Sequence, residues 1–483
     1  MVAMGLSSPA AAQTAEDYAR LNRTIEKQQA VISRLEARLT ALEVERQQAN
    51  AGSDASPSSP PGPTSTDQPR RTPAPLGQPL PSNSHPPSLD ARLAQIEAAQ
   101  DDMVHVDWSK GTPEFSSGDG NLTFRPRGRL LLDVGITNGS ATERRNITAT
   151  QARSLRLGIE GSVGKHLSYV LEGDFADNDV AIKSAYLAWT TGFKAQQVEI
   201  ALGNRLNDRG LDGSSGTISV PFMERNVVAQ GIIPARGFFG LGAAARIYGK
   251  RWHVGIQVSG DDVGNPGTAS DGLTIAGRAH WNPVRSKDLI VHLGAWGFHE
   301  KLASDATRPT RAIAVGGFFN DNLRIAPGTL ADPKSGTGFG FEAGAFRRSL
   351  WTYGEYGVRQ LTSRTGLSTN QSAWAVSGGW FITGENAPYL ARGGVWSRPE
   401  VLSAVTEGGR GALEVAARYE ALDYSDNPTA GRGNALTLGA NWYLNNFIRL
   451  QLNAIEWSVR NPVSAGHTTD NGHTLVGRAQ IAF

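Results

Sequence analysis

The chain has 483 residues, a formal charge of +2 and no cysteine. The missing thiols exclude a disulfide framework, a thiolate metal site and a cysteine nucleophile. Hydrophobic residues make up only 39%, and no run approaches the ~20 apolar residues of a membrane-spanning helix, so a helical membrane protein is excluded as well. Glycine is frequent at 56, Trp, Tyr and Phe total 37, and the basic residues divide into 9 Lys and 38 Arg. Arginine offers a planar fork that binds oxyanions in bidentate fashion and keeps its proton. A GC-rich coding sequence accounts for the same ratio equally well.

Residues 1–15 read as a possible signal-peptide remnant, with Ala10-Ala11-Ala12 as a small-residue cleavage site. The charged leading region is missing, so export has to be argued from the rest of the chain. Residues 16–46 carry heptads, with Tyr18, Ile25, Ile32 and Leu39 at position a and Leu21, Gln28, Leu35 and Leu42 at position d. They predict a short α-helical coiled coil. Arg38-Leu39-Thr40-Ala41-Leu42-Glu43 resembles a pattern of trimeric coiled coils and tilts the expectation toward three chains. Residues 47–102 form a linker rich in Pro and Ser, with one short helix around Leu89, Leu93 and Ile96.

From about residue 121 the texture changes to alternation, and residues 103–483 read as one β-barrel domain. Leu130, Leu132, Val134 and Ile136 face one way; Arg127, Arg129, Leu131 and Asp133 face the other. Leu155, Leu157 and Ile159 oppose Ser154, Arg156 and Glu160, and Ile448, Leu450 and Leu452 oppose Arg449, Gln451 and Asn453. Two-faced strands over this length, with charge repeatedly on one face, do not fit a soluble core. They fit strands with lipid on one side and water on the other. The connections alternate too. Gly161–His166, Tyr248–Trp252, Arg347–Trp351 and Leu444–Phe447 are short and flanked by aromatics, whereas Asp261–Asp271, Asp423–Gly433 and Asn461–Asn471 are long and polar. Seventeen segments look like strands. Bacterial single-chain barrels have even numbers, so Arg311–Phe319 is assigned to a loop and sixteen remain. The fold class is therefore all-β: a sixteen-stranded antiparallel transmembrane β-barrel, preceded by the coiled coil and the Pro-rich linker. Gly384–Gly409 falls on the short-turn side by this count yet is long, and the pattern does not explain it.

The last strand, Leu475 to Phe483, ends on an aromatic and resembles the assembly signal of bacterial outer-membrane proteins. Phe124-Arg125-Pro126-Arg127-Gly128-Arg129-Leu130, Phe222-Met223-Glu224-Arg225, Gly411 to Tyr419 and Asn441-Trp442-Tyr443-Leu444-Asn445 resemble the phosphate-selective porin O and P family over residues 104–483. The resemblance implies a trimeric outer-membrane barrel with its N-terminal region in the periplasm. It also implies an anion channel with lumenal arginines and a folded-in third loop. Asn204–Gly237 is the stretch that should be this loop; it holds Arg205, Arg209, Arg225 and Arg236 but no lysine. Family members that select phosphate use lysines as well, so the departure weakens phosphate specificity more than anion conduction.

By parity the inward arginines are Arg127, Arg129, Arg156, Arg246, Arg278, Arg418, Arg449 and Arg478. The candidates for contact with chloride or phosphate are Arg127, Arg129, Arg156, Arg205, Arg209, Arg225, Arg418 and Arg449. The competing reading pairs them with inward carboxylates such as Asp133, Glu160, Glu172, Asp174, Glu414 and Glu420. Residues 103–483 hold 38 basic and 33 acidic side chains, so any selectivity is modest. No catalytic residue, cofactor or metal is expected. The nine His lack metal-ligand spacing, and Gly237–Gly242 has no Walker lysine. The arginines are dispersed rather than clustered, which argues against nucleic acid. Two readings stand beside anion uptake. One is a general or sugar porin. The other is an envelope tether, with the coiled coil contacting peptidoglycan and the pore incidental.

Overall fold

The computed structural model describes residues 104–483, apart from 110, 177, 261–262, 264–271, 305, 308 and 464–465. The expected signal remnant, coiled coil and linker lie outside the described residues.

Sixteen strands form one antiparallel sheet. They are β1 (Leu122–Asn138), β2 (Thr148–Val163), β3 (Leu167–Asp174), β4 (Ala181–Phe193), β5 (Gln196–Leu206), β6 (Phe239–Tyr248), β7 (Trp252–Ser259) and β8 (Leu273–Trp281). The second half holds β9 (Ile290–Lys301), β10 (Pro333–Arg347), β11 (Leu350–Ser363), β12 (Ser368–Phe381), β13 (Ala412–Asp423), β14 (Arg432–Tyr443), β15 (Ile448–Val463) and β16 (Gly466–Ala482). Each strand pairs with the next, and β16 pairs back onto β1 from His473↔Asn138 to Ala482↔Arg129, so the sheet closes on itself. Closure leaves no unpaired edge, which a bilayer would not tolerate. Before β1, a short hairpin of His105–Asp107 and Glu114–Ser116 pairs onto its first residues.

The alternation resolves into an inside-out protein. Leu157, Leu187, Leu202, Ile256, Phe341, Val376 and Leu438 lie on the outer wall and are exposed. Trp189, Phe193, Trp252, Trp281, Trp380 and Trp442 are also exposed and cluster near the short turns, where they make an aromatic girdle. Inward faces carry the charges. One expectation needs correction: Asn461–Asn471 is not a loop. β15 and β16 stay paired out to Val463↔Gly466. These strands outrun the apolar belt, and beyond it both faces meet water, so polar residues there do not signal a turn.

Three connections turn into the barrel. The first, residues 207–238 between β5 and β6, contains α1 (Leu211–Ser214) and α2 (Val227–Gly231) and is almost wholly buried. It begins two residues beyond Arg205, which remains in β5. The second, residues 302–332, enters from the same end and packs Ile313, Val315, Leu323 and Ile325 against Trp457 and Val459 of β15. The third is the long segment on the turn side, residues 382–411. It makes a small hairpin, Tyr389–Leu390 with Val395–Trp396, and buries Trp396 among Phe346, Trp351 and Tyr353.

Closure ends on a tight contact. Gly128 and Phe483 exchange two backbone hydrogen bonds of 3.0 Å, and a Cβ on Gly128 would sit 2.8 Å from the Phe483 ring. Gly128→Val is expected to displace that ring at a cost of roughly 1–3 kcal/mol. The temperature at which the barrel loses its compact mobility on a semi-native gel should fall. An unchanged transition would show that the terminal aromatic does not brace the seam.

Candidate pore and its constriction

An inward arginine cannot be buried alone, because desolvating an unpaired charge costs several kcal/mol. The sequence answers with carboxylates on nearby strands and on the inward loop. Arg278 on β8 makes ion pairs with Glu342 of β10 at 2.7 Å and with Asp208 at 3.2 Å. Arg478 binds Asp133 through two bonds of 2.7 Å and Glu224 at 2.9 Å. Arg359 pairs with Glu300, and Arg418 with Glu420 at 3.0 Å. The same groups grip the inward segments. Glu420 accepts from the Val227 amide and Glu355 from Asn226, both at the start of α2. Asp212 of α1 accepts from the Trp396 indole of the turn-side insert at 2.7 Å.

Exposure then divides the lumen in two. On the β7–β16 wall the charges are sealed: the Arg278 and Glu342 side chains are 0% exposed. On the β1–β6 wall the seal is partial: Arg127 is 31% exposed and Glu160 25%, whereas Glu172 and Asp174 are buried. Residues 207–238, 302–332 and 382–411 pack mainly against the first wall and reach β1 and β2 through Asn320, Glu224 and Phe318, so the remaining wet strip runs down the second.

The candidate arginines separate accordingly. Arg209, Arg418 and Arg449 are buried. Arg209 donates to the carbonyls of Ala229 and Ile232, Arg418 to that of Glu224, and Arg449 to that of Val220. Their position is that of loop anchors. Arg127, Arg129, Arg156, Arg205 and Arg225 are half-buried along the wet strip. Arg127 and Arg156 share Glu172, Arg156 also holds Asp174, and Arg205 meets Glu199. Among the described residues, Arg129 and Arg225 have no carboxylate in ion-pair reach. Arg129 donates to Ser154 at 3.0 Å, and Arg225 donates to the carbonyls of Asp212 and Ser215. Burial, together with Arg156 and Arg153, pulls Arg225 down to about 10 against the opposing pull of Asp212 and Glu224, which leaves it cationic at neutral pH.

One lumenal cation escapes the parity argument. β2 carries a bulge opposite Leu131/Leu132: Leu131 faces Ser154 and Leu132 faces Ala152, with Arg153 the extra residue. Arg153 therefore turns inward beside Ser154. It binds Glu224 through bonds of 2.7 and 2.8 Å and stacks on Phe318 at 4.2 Å. Only the broken alternation between Gln151 and Leu155 hints at it.

Glu224 thus joins Arg153 and Arg478. Burial pushes its carboxyl up, but the two guanidinium groups outweigh this and hold it at about 2. Its contribution to stability is full above the ordinary value of 4.5 and is lost as pH falls toward about 2. Glu224→Gln should lower the urea midpoint in detergent micelles, a loss on the order of 2 kcal/mol, and flatten the pH dependence in that window. An unaltered acid limb would show that Glu224 does not carry it.

Comparison with known proteins places this geometry. The family model "Phosphate-selective porin O and P" matches residues 124–483. An uncharacterized protein of Caulobacter vibrioides is 27% identical over 402 residues, covering 79% of this chain and 77% of its own. Among solved structures, OmpT of Vibrio cholerae covers 75% of this chain and 98% of its own at 13% identity and a TM-score of 0.47. An anion-selective porin from Comamonas acidovorans covers 75% of this chain and 100% of its own at 14% identity and a TM-score of 0.45. A closed sixteen-stranded barrel with an apolar outer wall and a match over three quarters of its length, this chain belongs to the phosphate-selective porin O and P family of the bacterial outer membrane.

Proposed function

We propose that the protein is a passive, water-filled channel with a preference for anions, phosphate among them, and no enzymatic activity. The observation that carries this reading is the pair Arg129 and Arg225. Both lie on the half-exposed strip beside Arg156, and neither makes an ion pair with a carboxylate within the described residues. An ion entering a narrow pore exchanges hydration for wall contacts that must be firm enough to admit it and weak enough to release it. Two guanidinium groups without an ion-pair partner, beside carboxylate-paired ones, supply that for an anion. The lumenal rings Phe222, Phe238 and Phe318 are covered by Arg418, Arg225 and Arg153. They offer sugars few free stacking faces, which disfavours the sugar-porin reading. The loop end would face outward and the turn end the periplasm, where the N-terminal region would reach peptidoglycan. The assembly would be a homotrimer.

Reversal potential in a planar bilayer under a KCl gradient tests the anion preference. Chloride preference is expected in the wild type, reduced several-fold in Arg129→Gln and Arg225→Gln; cation preference would contradict the reading. Phosphate titration of the chloride current then separates its parts. Block at sub-millimolar concentration would mark a phosphate site, and no block would leave a general anion porin. Cross-linking in detergent should give trimers, and monomer alone would refute that state.

A further inference from the structure

Three histidines stand side by side on the lumenal face of β7, β8 and β9, all within the sealed half of the barrel. His253 and His280 are register partners, and His253, His280 and His292 are 1%, 2% and 0% exposed. Their rings follow one another at 5.1 and 5.4 Å between centroids. The channel reading does not use them, yet they join two inward segments. His253 Nε2 lies 2.6 Å from Asp208 of the 207–238 loop. His253 Nδ1 lies 2.9 Å from His280 Nδ1. His280 Nε2 lies 3.0 Å from the Ala391 carbonyl of the turn-side insert. Next to it, His292 Nδ1 meets the Tyr389 hydroxyl at 2.7 Å, and the backbone of Gly394 packs on the His280 ring.

Counting hydrogens along this chain gives an unexpected result. The three bonds run between two ends, a carboxylate and a carbonyl, that can only accept. Three bonds therefore need three hydrogens. Two neutral imidazoles bring two. Burial pushes the Asp208 carboxyl up, but Arg246, His253 and Arg278 outweigh it and hold it well below the ordinary carboxylate range, so Asp208 does not bring the third. With all three contacts made as hydrogen bonds, the row holds one proton more than two neutral imidazoles carry. The carboxylate of Asp208 favours its residence on His253, and the Arg278 guanidinium between Asp208 and Glu342 disfavours a second proton. The other charged or titratable groups around the row are Arg246 and Tyr248 of β6, with Tyr248 stacked on His253, Glu342 of β10, 3.4 Å from His292, and Tyr389 and Arg392 of the insert.

We propose that the row is a one-proton latch: an imidazolium shared between His253 and His280 ties the constriction loop, through Asp208, to the turn-side insert, through Ala391. The imidazolium is the bonded form. The link is therefore present at low pH and lost as pH rises, because a neutral pair leaves one of the three bonds without a hydrogen. Parting of that contact would loosen the Ala391 stretch of the insert and widen the lumen there, while Trp396 stays on Asp212 and the Gly393 and Gly394 carbonyls stay on Arg278. That consequence rests on the channel reading above; the proton count does not.

The absence of native cysteine allows a direct test. Ala391 is buried, so the thiol of Ala391→Cys should be shielded from a water-soluble thiol reagent at about pH 6. Rates are normalised to denatured protein at each pH. Labelling should accelerate at least tenfold by about pH 9, and single-channel conductance should rise over the same interval. With His253→Gln added, the row keeps a donor toward Asp208 but has no proton to lose, and the pH step should vanish. In wild-type protein with 15N-labelled histidine, one imidazolium signal that His253→Gln removes is expected at pH 6. Neutral rings for both His253 and His280 at that pH, or labelling without a pH step, would overturn the proposal. A pH step in labelling with no conductance at any pH would sink the channel reading and leave the latch standing.

Discussion

The structure depends on one constraint: a sheet that turns its apolar face to lipid must satisfy every charge on its other face from within. In this barrel the satisfaction is mutual. Arg278 needs Glu342 and Asp208, and Asp208 belongs to a loop; Arg478 needs Asp133 and Glu224, and Glu224 belongs to the same loop. The lumenal charges and the inward segments therefore fold each other. Without the loop, Arg278 and Arg478 would each keep one carboxylate, Glu342 and Asp133, and lose the other. Without the guanidinium groups, the loop would keep its apolar residues, among them Val228 and Ile232, and its bonds to Glu420, Glu355 and Trp396. Apolar packing fills the space and ion pairs fix the register.

That division explains the asymmetry of the lumen. Where inward segments pack, on β7–β16, charge is consumed by structure. On β1–β6, where they pack less, Arg153 is held by Glu224 and Phe318, while Arg127 and Glu160 meet water. Charge balance along the wet strip is close, and the surplus comes down to Arg129 and Arg225. A pore built this way would select weakly by sign and more strongly by whatever fits beside the loop.

Most of the barrel was legible in the sequence because alternation of period two is imposed by the lipid itself. Leu130 to Ile136, Trp252 to Val258 and Leu475 to Phe483 each face as their spacing says. Even strand number correctly consigned Arg311–Phe319 to a loop. Where the reading failed, a physical reason is at hand. Arg153 was missed because one bulge residue shifts parity on one strand alone. Asn461–Asn471 was taken for a loop because strands above the membrane belt lose their apolar face. The site was less legible than the fold. Parity states which arginines point inward, yet not which are covered, and burial of Arg209, Arg418 and Arg449 depends on segments distant in sequence. Gly384–Gly409 had no reading at all. Its role lies in contacts such as those of Trp396 and Ala391, which no local pattern encodes.

The wet strip runs along β1–β6, and single cysteines placed around the lumen measure this directly. Ser162 of β2 and Ser184 of β4 are half-buried inward residues on that wall; Gln371 of β12 and Thr437 of β14 are buried inward residues on the other. Each is replaced by cysteine in turn and challenged with a small charged thiol reagent in intact outer membranes. Rapid labelling at 162 and 184 with protection at 371 and 437 is the predicted result. Equal labelling on both walls, or labelling only at 371 and 437, would contradict it.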